Sequence, residues 1–344
     1  MLHETVSYPI ALPRRGESVE VAPGVRWIRL PLPFRLNHIN VWAIDDGEGW
    51  TLVDTGLRNE ETVAAWEHLT AQGPLARPLT RVIVTHMHPD HIGMAGWLTR
   101  RYGVRLWISR LEYLMCRALV SDTSREAPAD ALRFYREAGW APAAIESYQA
   151  RFGNFGKHVY ALPDSFHRLR DGDRVRIGDH DWEVVRGHGH SPEHCCLYCP
   201  ELELLISGDQ VLPKISSNVS VHPTEPDANP MADWLESLDT LQARVPDDVL
   251  VLPAHNDCFH GLHVRLEHLR RGQHEALGRL RELLAEPKRV VDVFPALFRR
   301  EIPDNDASQL GLATGEALAC LNWLLQRGDA VKELRDGVAW YRAA

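Results

Sequence analysis

A chain of 344 residues is long enough for two domains of ordinary size, and its 44% hydrophobic and 25% charged residues exclude fibrous, disordered and disulfide-scaffold classes. The net charge is −9, with 25 basic and 35 acidic side chains in residues 1–262 against 13 and 12 in residues 263–344. Neither part carries the excess of Lys and Arg that holding a phosphate backbone requires, so a nucleic-acid partner is disfavoured.

The first segment, MLHETVSYPIALPRRGE, lacks the apolar core of a secretory signal. No run of roughly 18 apolar residues follows it, so no membrane partner and a cytoplasmic location are expected. After this Pro-containing leader, alternation predicts strands over 25–30, 37–44 and 50–53, then a helix over 61–69. A strand over 79–84 stops at Thr85, and another is predicted over 104–108. Helical spacing returns over 110–120, 128–139 and 142–152, in a stretch rich in aromatic residues. A hairpin over 171–177 and 181–185 turns at Gly178-Asp179. Short apolar strands over 202–206 and 249–252 bracket an amphipathic helix over 230–244. Cys196 and Cys199 have CxxC spacing in HCCLYCP, but a second such pair is missing, so these thiols are expected as reduced, buried strand residues. Periodicity changes after His260: a long helix over 262–285, helical segments over 290–299 and 310–327, and a hairpin over 331–341 turning at Asp336-Gly337 suggest a winged-helix-like module.

The chemistry concentrates where the strand over 79–84 ends. His86, His88, Asp90 and His91 occur in HMHPDH, and Pro89 supplies a turn that lets them converge. Imidazoles with an added carboxylate suit borderline divalent metals. His190 in GHSPEH, Asp209 in SGD and His255 in PAHN each follow a hydrophobic strand by a few positions, so one sheet edge can gather all seven residues.

With these motifs in this order, residues 20–260 resemble the metallo-beta-lactamase superfamily, and Asp54-Thr55-Gly56 is similar to its acidic turn at a strand end. The resemblance implies an α+β fold: a four-layer αββα sandwich with a helical insertion at 110–160 inside a catalytic domain of residues 1–262, followed by a winged-helix-like domain of residues 263–344. GDQVLPKISSNVSV and the passage from PAHND to HVRLEHLRRGQHEAL most resemble the beta-lactamase-like protein 2 type. By resemblance His86, His88 and His190 bind one metal, Asp90, His91 and His255 the other, and Asp209 bridges them. Asp54 and His194 are expected to support ligands without binding metal. Two sequence departures stand out: His188 precedes the usual motif, and Ala254 replaces a common glycine.

The implied activity is hydrolysis by a hydroxide bridging two divalent metals, zinc foremost with manganese or iron as alternatives, and Asp90 as the catalytic residue that orients it. A small ester or thioester is the favoured substrate; RNA phosphodiester cleavage, lactone hydrolysis and a noncatalytic regulatory role rank behind it. A small molecule is thus the expected partner, with a homodimer left open. Tyr113, Met115, Phe134, Tyr135, Trp140, Tyr148, Phe152 and Phe155 of the insertion form either its own core or an apolar wall for an acyl group.

Overall fold

The computed structural model describes residues 5–14, 17–71 and 73–344. Its chain divides into two compact units. The first draws its described residues from 1–123, 154–217 and 239–266; the second comprises 124–153, 218–238 and 267–344. The expected boundary at 262/263 lies four residues before the last of these divisions.

The first unit contains two sheets. One is ordered β1 (Ser18–Ala22), β2 (Val25–Pro31), β3 (His38–Asp45), β4 (Trp50–Val53), β5 (Leu79–Ile83), β6 (Arg105–Ile108) and β7 (His167–Arg168). It is antiparallel through β4 and parallel from there on. The other is ordered β12 (Leu250–Pro253), β11 (Leu204–Gly208), β10 (His194–Cys199), β9 (His180–Gly187) and β8 (Arg174–Ile177), with only β11 and β12 parallel.

Period-two alternation builds the layers. Trp27, Trp42, Val53 and Ile83 share one core with Trp182, Val184, Leu197, Ile206 and Leu252, which joins the two sheets face to face. Their neighbours Ile28, Val41, Leu52 and Val82 point the other way, into a core with Trp66 and Leu69 of α1 (Glu60–Ala71) and Leu98 of α3 (Ala95–Tyr102). Strands covered on both faces read as nearly continuous apolar runs, as β2 and β3 do. This is the α+β metallo-beta-lactamase-type sandwich that the motifs imply.

Strand β1 and helix α3 differ from expectation. β1 lies in what the sequence presents as a leader; SVEVA alternates over only two valines, none of its residues is fully buried, and pairing with β2 defines it. Helix α3 follows the histidine motif directly, where the run of small and polar residues hides its periodicity. The clustered cysteines are buried strand residues as expected, and the pleat of β10 splits them: Cys195 and Cys199 enter the core between the sheets with Leu197, while Cys196 lies on the opposite face beside His194. All six cysteines are free and buried.

The second unit contains α5 (Ala129–Glu137), α6 (Pro142–Arg151), the short helix α9 (Phe294–Leu297), α10 (Ala307–Gln326) and a hairpin of β13 (Ala330–Arg335) and β14 (Val338–Ala343). Asp306 caps α10 by accepting from Ser308 and Gln309 backbone N–H groups. Asp336 and Gly337 both take positive φ, which a two-residue hairpin turn needs. Tyr135 packs on Trp140 and Tyr148, and the Trp140 indole donates to Thr314 Oγ1 of α10 at 2.9 Å. These insertion aromatics therefore form a core with the tail helix. Two further helices, α7 (Pro230–Arg244) and α8 (Leu262–Leu283), each contain a division point between the units. Leu266, Leu269, Leu277 and Leu280 of α8 are all buried.

Leu197 is 0% exposed between the sheets, whereas Leu114 of the helix Arg110–Ser121 is 52% exposed. Leu197→Ala should lower stability by about 2–5 kcal/mol, and Leu114→Ala by less than about 0.5 kcal/mol. Urea unfolding of both variants checks the assignment of the inter-sheet core.

Candidate metal centre

Five strand ends deliver the centre. β4 leads into Asp54, β5 into His86, β9 into His190, β11 into Asp209 and β12 into His255. Just after His88, Pro89 opens a one-turn helix, α2 (Pro89–Ile92), which brings Asp90 and His91 back toward the strand end. The turn is tied down because the His91 carbonyl accepts from Thr55 N at 2.8 Å and Thr55 Oγ1 at 2.6 Å. Gly93 ends that turn against backbone: a Cβ there would lie 2.4 Å from Pro89 O and 2.7 Å from Gly56 O. Gly208 has φ +51, and a Cβ would lie 2.4 Å from His194 Nε2, so only glycine lets β11 pass this ring.

One group of donors is a triangle of ring nitrogens. His88 Nδ1 lies 2.9 Å from His86 Nε2 and 3.0 Å from His190 Nε2, and the latter two are 3.3 Å apart. Ligand atoms about 2.0–2.1 Å from a tetrahedral zinc ion stand roughly 3.4 Å from each other, close to this spacing. The other group sets His255 Nε2 3.4 Å from Asp90 Oδ2, with His91 Nε2 3.9 Å from the same oxygen. Asp209 stands between them: its Oδ1 is 3.6 Å from His91 Nε2 and 3.5 Å from His255 Nε2, and its Oδ2 is 3.4 Å from His190 Nε2.

Electrostatics favours cations in both places. Burial, with His190 beside it, pushes the His88 imidazole down to about 3, and burial with His91 and His88 also lowers His86. These rings are therefore neutral, the form that ligates metal. Around His91 the balance reverses: burial works against charge, but Asp54, Asp209 and Asp90 outweigh it and raise the imidazole well above its usual value. Burial likewise opposes ionisation of Asp90, and the His91 and His255 fields overcome it and bring the carboxyl to about 2. His91 Nε2 and Asp209 Oδ1 are buried, face each other and have no hydrogen-bond partner among the described residues. An unpaired donor or acceptor in such a place is costly unless something else binds it. Two divalent cations fit this donor set, and the centre is that of a dinuclear metal-dependent hydrolase.

The surrounding hydrogen bonds select which nitrogen each ring offers. His91 Nδ1 donates to Asp54 Oδ2 at 2.7 Å, and His255 Nδ1 donates to the His38 carbonyl at 3.0 Å, leaving both Nε2 atoms toward the centre. Thr85 Oγ1 donates to Asp54 and accepts from His86 Nδ1 at 3.0 Å, with the same result. His194 is fully buried, and its Nε2 accepts from Asp209 N at 3.2 Å. Burial and His190 lower its imidazole well below the usual value. His188 is directed elsewhere, its Nδ1 donating to the Pro192 carbonyl at 2.8 Å. Positive φ at the last ligand loop falls on Asn256, not Ala254, so the extra methyl group meets no backbone penalty.

Sequence patterning missed three contributors: Thr85, His38 and above all Glu112. Glu112 lies in α4 (Arg110–Ser121) and is completely buried. It accepts from Met87 N at 2.9 Å, Ser191 Oγ at 2.7 Å and Glu193 N at 2.7 Å. One carboxylate thus joins the loop of His86 and His88 to the loop of His190. Burial raises its carboxyl while these three bonds oppose the rise. A lone acid among the apolar residues of RLEYLMC was its only sequence signal.

Residues 35–255 match the family model described as the metallo-beta-lactamase superfamily, and residues 277–344 match a metallo-beta-lactamase-like C-terminal domain. The chain is similar to a beta-lactamase domain protein from Burkholderia ambifaria, with 40% identity, 98% coverage of both chains and a TM-score of 0.90. A metallo-beta-lactamase family protein from Thermus thermophilus matches at 25% identity and a TM-score of 0.79, covering 94% of this chain and 100% of that one. The probable metallo-hydrolase YqjP of Bacillus subtilis is 24% identical over 80% of this chain and 86% of its own length. An acyl-coenzyme A thioesterase of Bos taurus, MBLAC2, is 27% identical over 55% of this chain and 63% of its own length.

Glu112→Ala would leave three donors unpaired, at about 1–3 kcal/mol each. Metal analysis of the purified variant should show loss of about one equivalent relative to the parent, with Glu112→Gln intermediate because its amide can still accept at one oxygen. Full metal content in Glu112→Ala would show that the two loops hold together without this carboxylate.

Proposed function

The chain belongs to the metallo-beta-lactamase superfamily, and from that premise we propose that it hydrolyses a small acyl thioester or ester. The carrying observation is the Asp209 carboxylate, whose two oxygens face different histidine groups in one buried centre. In this proposal His86, His88 and His190 hold one metal, Asp90, His91 and His255 hold the other, and Asp209 is shared. Zinc is the proposed metal, since nitrogen-rich sites with carboxylate oxygens suit it. Bound there, the two cations lower the pKa of a water nucleophile and polarise the carbonyl it attacks.

The protein's own groups supply orientation and proton handling. Asp90 is ionised, and its Oδ2 sits at the centre beside His255 Nε2. That oxygen can accept the proton of the attacking water and pass it to the departing sulfur or oxygen, so that the acyl group leaves as a carboxylic acid and the other product as a thiol or alcohol. Asp54 and His194 act on position only, one through His91 and the other through the Asp209 backbone.

Two considerations support an acyl substrate over a phosphodiester. Residues 1–262 hold ten more acidic than basic side chains, which opposes steering of a polyanion. The partial likeness to an acyl-coenzyme A thioesterase points the same way and favours the beta-lactamase-like protein 2 type. The insertion aromatics do not carry the argument, because Tyr135, Trp140 and Tyr148 pack on one another. Catalysis is assigned to residues 1–262, which contain all seven proposed ligands, and the winged-helix-like tail 263–344 supplies none. A cytoplasmic setting suits six free thiols.

Metal-loaded protein should hydrolyse short-chain or aromatic acyl thioesters and esters faster than single-stranded or structured RNA. Asp90→Asn should reduce the acyl rate by at least about 100-fold. An RNA rate that depends on Asp90 and exceeds every acyl rate in a broad panel would reverse the substrate assignment.

A further inference from the structure

A second set of metal-type donors stands at the other end of the strands that carry His190 and His194. His180 opens β9 and Cys199 closes β10, whereas Gly187 and His194, at the opposite ends, lead into the catalytic centre. Seven residue steps along β9 separate the two ends by roughly 23 Å. Pairing of Tyr198 with Glu183 sets the register, and its continuation brings Glu201 across from His180. His180 Nδ1 lies 2.9 Å from Glu201 Oε2. The donor atoms of His180, Cys199 and Glu201 all lie within 4.8 Å of one another.

The sulfur has a setting of its own. Burial raises the Cys199 thiol above its usual value, and the backbone N–H groups of Leu202 and Glu201 oppose that rise. The thiol is therefore protonated on its own, and a cation beside it would supply the charge that favours the thiolate, the ligating form of cysteine. The Glu201 carboxylate and the His180 ring then face it from the solvent side, where both are partly exposed and able to move. Ligand atoms on a tetrahedral zinc stand roughly 3.4–3.8 Å apart, so small rotations of these two side chains close the remaining distance.

We propose that His180, Cys199 and Glu201 form a separate site for a borderline divalent cation, zinc foremost, completed by water and remote from catalysis. Binding exchanges the Cys199 thiol proton for the metal and converts the His180–Glu201 pair into two further bonds to it. Cys196 takes no part, since it lies on the other face of β10; the partners of Cys199 come from the neighbouring strand and turn.

Cobalt(II) titration of the full chain tests this. None of the donor groups at the catalytic centre contains sulfur. A thiolate-to-cobalt charge-transfer band in the near ultraviolet therefore arises outside that centre, and its loss in Cys199→Ser assigns it to Cys199. The parent protein should develop this band and bind about one equivalent more zinc than Cys199→Ser. His180→Ala, a change at a partly exposed position that keeps the fold accessible if the cysteine variant fails, should abolish the band or raise its cobalt midpoint at least about tenfold. Acyl hydrolysis should be unchanged in His180→Ala, which separates this outcome from any failure of the catalytic assignment. Absence of the band in the parent at saturating cobalt, or an undiminished band in either variant, would overturn the proposal.

Discussion

Charge compensation at the meeting point of five strand ends is the constraint on which the structure turns. Asp54, Asp90 and Asp209 surround His91 in a place that water barely reaches, while His86, His88 and His190 turn ring nitrogens toward each other. Burial strengthens attraction and repulsion alike, and the gathered donors fit two divalent cations. The remaining architecture fixes where they must sit. The sandwich supplies strands that end together, Gly93 and Gly208 admit close passage, and Asp54, Thr85 and the His38 carbonyl orient the rings.

The same logic explains what was legible in the chain. HMHPDH was readable because its residues are neighbours and Pro89 fixes a local turn; His190, Asp209 and His255 were readable because each follows an apolar strand. Glu112 was not, since its partners Met87, Ser191 and Glu193 are brought to it by tertiary folding from 25, 79 and 81 residues away. Edge strand β1 escaped for a related reason: its alternation spans only two valines, and its definition comes from β2. The cysteine cluster was legible as buried strand residues, and a three-residue separation in a strand places Cys196 and Cys199 on opposite faces.

The insertion shows where composition is ambiguous in function. Aromatic residues at helical spacing fit a core or a cavity wall equally well by pattern. The contacts of Tyr135, Trp140 and Tyr148, and the hydrogen bond from Trp140 to Thr314, assign those side chains to a core shared with the tail helix α10. Residues 110–123 of the same stretch do something different. They supply Glu112, and the Leu111 backbone N–H donates to Glu193 Oε2 at 2.9 Å, so α4 is a brace for the ligand loops. Substrate class is accordingly argued from the metal chemistry, the acidic balance and the relatives, and not from an aromatic pocket.

The central claim is that Asp209 joins two metals with separate ligand sets. Anomalous diffraction from crystals of the metal-loaded protein, recorded on either side of the metal's absorption edge, tests it most directly. Two peaks are predicted, one enclosed by His86, His88 and His190 and the other by Asp90, His91 and His255, with one Asp209 oxygen toward each. A single peak at saturating metal, or a second peak whose ligands do not include Asp209, would contradict it.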